Sequence, residues 1–221
     1  METWFRRLAE VPGVNYQPLS SIDRRQLPGH DLVPKVDRYS FDGKVHESLS
    51  WPTREGTTGA SPASEWKTEP RKDETEAQTT LRQLQEALEL PGTLSNYHFL
   101  IQASHEALRS FAREEPWVLD EVEKLCWLDI RLINAHPSIA TLEPISVDDK
   151  GMAKVIAERR GDRRFFHVLA FHQLISMYER EGYLREALEV AKIGQKFEQC
   201  LGKVEEIEER IRLAEAQADA A

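Results

Sequence analysis

Four arginines fall within six positions, Arg159-Arg160-Gly161-Asp162-Arg163-Arg164, in a part of the chain that is otherwise acidic. Guanidinium groups at this density bind carboxylate or phosphate through paired donors, so the patch predicts an anionic ligand. An acidic segment of a partner protein or a phosphate group would fit. A helix is expected to begin at Arg163, and cations beside its N-terminal end oppose the helix dipole. That unfavourable placement argues for a use. The seven histidines show no metal-ligand spacing: His98 and His105 lie seven apart, His167 and His172 five apart. Cys-x-x-Cys, His-Glu-x-x-His, a Gly-rich phosphate loop and a Gly-x-Ser-x-Gly elbow are all absent from the sequence. Cys126 and Cys200 sit singly in apolar, helix-like contexts and are expected to be buried, reduced thiols. The expectation is a chain with no metal, no cofactor and no catalytic residue.

The elements that carry these residues fall into two parts. Residues 1–73 hold equal numbers of basic and acidic side chains, so the whole net charge of −9 belongs to 74–221. A domain this acidic repels phosphate backbones, which leaves Arg159–Arg164 as the one place where nucleic acid could bind. The first part contains most of the prolines, in Val11-Pro-Gly, Gln17-Pro, Leu27-Pro-Gly, Val33-Pro and Trp51-Pro, and each breaks helical continuation. Thr53 to Ser64 reads as linker. Aromatic residues nevertheless stud this part, and Trp4, Phe5, Tyr39, Phe41 and Trp51 are the expected anchors of an extended arm that packs on a protein surface. Asp42-Gly43 predicts a two-residue hairpin turn that sets Arg38 opposite Glu47, within a small hairpin over 36–49.

Residues 74–221 read as helices. Ala77, Leu81, Leu84 and Leu88 make one stripe ended by Pro91-Gly92. Thr93 or Ser95 caps the next, through Leu100, Ala107 and Phe111. Val118, Val122, Leu125, Cys126 and Leu132 follow after Pro116, and these two long helices should pair as an antiparallel hairpin. Asp148 or Asp149 opens a short helix through Ile156. Asp162 is expected to cap Arg163–Glu181, Gly182 to end it in the left-handed conformation, and Leu184–Glu198 to follow. A last amphipathic helix from about Gly202 carries Val204, Ile207, Ile211 and Ala214 on one side. No apolar run reaches membrane-spanning length, and the first ten residues lack the apolar core of a secretory signal, so a cytoplasmic location is expected.

Phe171, Leu174, Tyr178, Gly182 and Ala187 follow the spacing of a tetratricopeptide repeat, and residues 166–199 resemble one such repeat. The pattern departs at Ile175, Gly194 and Gln199, and it does not recur at a 34-residue period, so this is a single repeat-like hairpin at 162–198 with a capping helix behind it. The resemblance implies a ligand-binding face of Leu169, His172, Ser176, Glu179 and Arg180. Arg160 and His167, with six residues between them, are similar to the arginine–histidine signature of helical ribonucleases of the HEPN type, in which that pair acts on a phosphodiester. Gly161 stands where that family has a polar residue, and the pair opens a helix rather than closing one.

The fold expected is all-α, with a TPR-like or α-solenoid-like C-terminal domain and an extended, proline-rich arm. The function expected is a non-enzymatic adaptor or structural subunit that binds protein partners. The alternative is a HEPN-like ribonuclease, or a nucleic-acid-associated regulator, using Arg159–Arg164 and His167.

Overall fold

In a computed structural model of the chain, the described residues are 35–41, 43–53, 56–141 and 165–219. They form two compact units, one up to Ala135 and one from His136. The chain is mostly helical, and it also carries a small sheet that an all-α description omits.

The first unit begins with that sheet. Strands β1 (Lys35–Phe41), β2 (Lys44–Thr53) and β3 (Gly56–Thr58) are antiparallel in the order β1-β2-β3. Gly43 holds φ +70° between β1 and β2, a conformation that glycine adopts without a Cβ clash. Phe41 therefore pairs with Lys44, which sets Arg38 opposite Glu47 and Val36 opposite Leu49. Ser50 Oγ donates to Asp37 Oδ2 at 2.7 Å, bracing the open end. Trp51 ends the exposed run and is buried. The stretch read as linker contains β3 and a short helix α1 (Pro62–Glu65), in which Ser61 caps and Pro62 and Ala63 are buried.

Helices α2 (Glu76–Leu88) and α3 (Leu94–Phe111) each open on a capping box, Thr75 with Gln78 and Thr93 with Asn96. Each box satisfies two orphaned backbone donors at once and fixes where the helix starts. Between them the chain turns tightly: a Cβ at Gly92 would lie 3.0 Å from that of Ala63, and the Tyr97 hydroxyl donates to Leu90 O at 2.7 Å. Helix α4 (Val118–Ala135) packs along α3, burying Val118, Val122, Ile130 and Ile133 against a core that includes Ile101 and Leu108.

An ionic clamp holds residues 66–74 against α2. Arg82 donates to Glu74 through Nε at 2.6 Å and to Glu86 through a terminal nitrogen at 3.0 Å. Trp66 Nε1 donates to Glu86 Oε2 at 3.0 Å, and the Thr68 hydroxyl donates to the same oxygen. Glu86 is nearly buried, which raises its pKa, but its hydrogen bonds to Thr68, Arg82 and Trp66 outweigh that and hold it below the usual carboxylate range.

The second unit contains a 3-10 turn at Pro137–Ile139, an isolated bridge from Thr141 to Phe165, and helices α5 (Leu169–Glu181), α6 (Leu184–Gln195) and α7 (Lys203–Asp219). The sequence expectation of a helix from Arg163 is corrected here. Phe166 N donates to Ala140 O at 2.9 Å, and Val168 has extended backbone angles, so residues 165–168 are not helical and α5 begins at Leu169. Gln199 holds that entry in place. Its amide nitrogen donates to Phe166 O at 3.1 Å and Phe197 O at 2.8 Å, while its oxygen accepts from Val168 N at 3.3 Å. Gly182 ends α5 at φ +82°, as expected of it. The helix α6 ends at Gln195, with turn residues up to Glu198. The short helix expected over 148–156 lies outside the described residues.

Replacing Gln199 by Ala should lower the stability of the second unit by about 1–3 kcal/mol, because buried backbone groups lose their partners. Thermal unfolding followed by circular dichroism measures it, and an unchanged midpoint would remove the clamp assignment. For the first unit, Glu74 ionises at about 2 rather than 4.5, chiefly through Arg82. Its contribution should be complete above about pH 4.5 and decline as pH falls towards 2. That acid-induced loss should be smaller in Arg82→Met, read from the pH dependence of the unfolding midpoint.

Candidate functional site

On α3, His98, Ile101, His105 and Leu108 follow a 3-4-3 spacing, which places them on one face of a helix. The facing helix α4 supplies Cys126 and Asp129 from the stripe that also carries Val122, Ile130 and Ile133. The result is a polar cluster in an apolar seam: His98, His105 and Asp129 are each 0% exposed. His98 Nδ1 and Asp129 Oδ1 share a hydrogen bond of 2.6 Å, and His105 Nε2 stands 4.0 Å from Asp129 Oδ2.

Burial pushes the Asp129 pKa up, and the hydrogen bond and charge of His98 pull it part of the way back. Burial also pushes the Cys126 thiol well up, and the Asp129 charge adds to that. A histidine oriented by a carboxylate is the beginning of general acid–base chemistry. Here solvent and substrate have no surface path to it. No group of three or more His, Cys, Asp or Glu side chains among the described residues is arranged to hold a metal ion.

The residues singled out from the sequence fall elsewhere. Phe171, Leu174 and Ala187 are fully buried, and Gly194 lies against the Phe171 ring, where a Cβ would come within 3.2 Å of it. Any tight helical hairpin packs such residues this way, so the packing alone does not choose a family. Of the expected binding face, Leu169, Ser176 and Glu179 are half-buried while His172 and Arg180 are exposed. The Glu179 carboxylate accepts from Lys203 at 3.4 Å and from Arg210, both on α7. Arg180 Nε donates back to Ser176 O at 3.3 Å. His167 is exposed beside the start of α5, with its ring centroid 4.8 Å from that of His172.

Arg159, Arg160, Arg163 and Arg164 lie outside the described residues, and so does the expected pairing of Arg160 with His167. Trp4 and Phe5 lie outside them too. Tyr39 is exposed on β1, Phe41 is the last residue of β1, and Trp51 is buried.

Sequence reasoning missed the buried cluster. Its signal was present: two histidines two turns apart within an apolar stripe, and an aspartate within another. Metal-ligand spacing is read along the chain, whereas the acid that completes the cluster comes from the neighbouring helix.

No family model, curated protein or solved structure matches the chain. The site rests on its own geometry.

Cys126 is sealed at 0% exposure, and Cys200 is buried with its thiol pushed up to about 11. Neither should react with a thiol reagent at pH 8 in the native chain, and both should react at once in guanidinium chloride. A thiol titration giving a fast stoichiometric reaction without denaturant would contradict this placement.

Proposed function

We propose that the chain is a non-enzymatic adaptor or structural subunit, acting in the cytoplasm, that binds protein partners. The β1–β2 ribbon and the TPR-like α5–α6 hairpin are its contact surfaces. The observation that carries this reading is the ribbon. Val36, Tyr39, Val45 and Leu49 are 54%, 53%, 69% and 39% exposed on a two-stranded element. Such a ribbon is marginal in water by itself and gains from lying on another surface. Val36 and Leu49 are direct cross-strand partners, so their side chains share one face.

Three further features support a binding role. The His98–Asp129 pair, which has the chemistry of an acid–base dyad, is closed to substrate. No helix among the described residues is long and apolar enough to cross a membrane. The tetratricopeptide resemblance points to protein ligands on α5, where His172 and Arg180 are exposed.

The test leaves the core intact. Deleting residues up to 73 would also remove the buried Trp51 and Ala63, so point changes on the ribbon are cleaner. Val36→Lys with Val45→Lys should alter stability by no more than about 0.5 kcal/mol. It should abolish co-purification of whatever partner the wild-type chain brings from its host. Undiminished co-purification would rule out the ribbon as the contact. RNA cleavage that is lost in His167→Ala would favour the ribonuclease reading instead.

A further inference from the structure

We propose that His167 and His172 form a surface site for a late first-row divalent metal ion such as Zn²⁺, held by one nitrogen of each imidazole. The inference does not depend on the adaptor reading. Both side chains are exposed, and their ring centroids lie 4.8 Å apart with the planes at 37°. Ring pairs held by stacking alone favour offset-parallel or edge-on arrangements, and this tilt is neither. A zinc–imidazole bond is about 2.0–2.1 Å long, so two rings that share one ion have centroids about 4.5–5 Å apart. The observed separation falls in that range.

Five residues apart is not a ligand spacing on one helix. The two rings meet because His167 stands in the extended entry to α5. Phe166, His167 and Val168 are half-buried, exposed and buried in turn, as the alternation of an extended segment requires. The two peptide groups that flank His167 are both held by the Gln199 amide. Its Nε2 donates to Phe166 O at 3.1 Å, and its Oε1 accepts from Val168 N at 3.3 Å. His172 is the fourth residue of α5, so the helix fixes its backbone. Ligands presented on a clamped main chain take up an ion with little ordering cost.

The donor atoms select the ion. Imidazole suits zinc, copper and nickel, whereas Mg²⁺ and Ca²⁺ take oxygen ligands. A metal-bound imidazole donates from its other nitrogen, so the further contact that His172 makes is compatible with ligation. The net charge of −9 draws cations towards the chain. The N-terminal end of α5 opposes them, but solvent and salt screen that effect at exposed positions. Two protein ligands leave the remaining positions to water, so the ion exchanges readily, unlike one in a closed structural zinc site.

The test is competition for Zn²⁺ against a chromogenic chelator, with the untagged full chain and excess Mg²⁺. Loss of an outer-shell partner alone weakens metal binding about 10–100-fold. Loss of a ligand, in His167→Ala or in His172→Ala, should therefore weaken Zn²⁺ binding at least about tenfold. Both side chains are exposed, so each variant should keep the wild-type unfolding midpoint without metal. Added Zn²⁺ should raise the midpoint of the wild type more than that of either variant. Wild-type affinity in either variant, no uptake by the wild type, or displacement of the ion by Mg²⁺ overturns the site.

If a variant does not fold, a Co²⁺ titration of the wild-type chain decides the matter. The Cε1–H resonances of His167 and His172 should shift together as the ion is added. Movement of one alone, or of neither, overturns the site.

Discussion

One carboxylate set between two imidazoles governs how α3 and α4 meet. Most other side chains along that seam are apolar, so Asp129 and His98 depend on each other's position for the 2.6 Å hydrogen bond between them. This mutual dependence fixes the axial register of the two helices more tightly than leucine and isoleucine contacts do, since those tolerate sliding. The turn at Gly92, the hydroxyl of Tyr97 on Leu90 and the capping box at Thr93 then set where α3 begins, and so how far into the seam His98 lies. A polar contact is specific because it fails when displaced.

The second unit solves a similar problem with hydrogen bonds to backbone. Residues 166–168 approach α5 without helical bonding of their own, and buried backbone groups need partners. Gln199 supplies them from the far end of the hairpin, 33 residues from Phe166 in sequence. A proline at this position has no side-chain amide and could not do so. Gly194 has a steric reason, because Cys200 and the Phe171 ring fill the space that a methyl group would take.

Local chemistry was legible in the sequence, and long-range pairing was not. Thr93 reads as a cap, Asp42-Gly43 as a turn that puts Arg38 opposite Glu47, and Gly182 as a helix end, because each depends on neighbours within a few residues. The start of α5 was misread because Asp162 is a good capping residue, but Ala140 and Gln199, both distant in sequence, hold the following stretch extended. The strand at Gly56–Thr58 was hidden for a related reason. Its composition is that of a linker, and it pairs only because Trp51 and Thr53 present a partner edge. Asp129 was invisible as a site residue because a lone acid on a helix usually faces water.

The two kinds of surface bear differently on function. The first unit buries its histidine–aspartate pair and exposes valine, tyrosine and leucine on the β1–β2 ribbon. Lys192 with Glu208 and Arg185 with Glu215 fasten α6 to α7 at exposed positions, where each contributes little. They form a charged rim beside the buried Val204 and Ile207, whose apolar contacts carry the packing of α7.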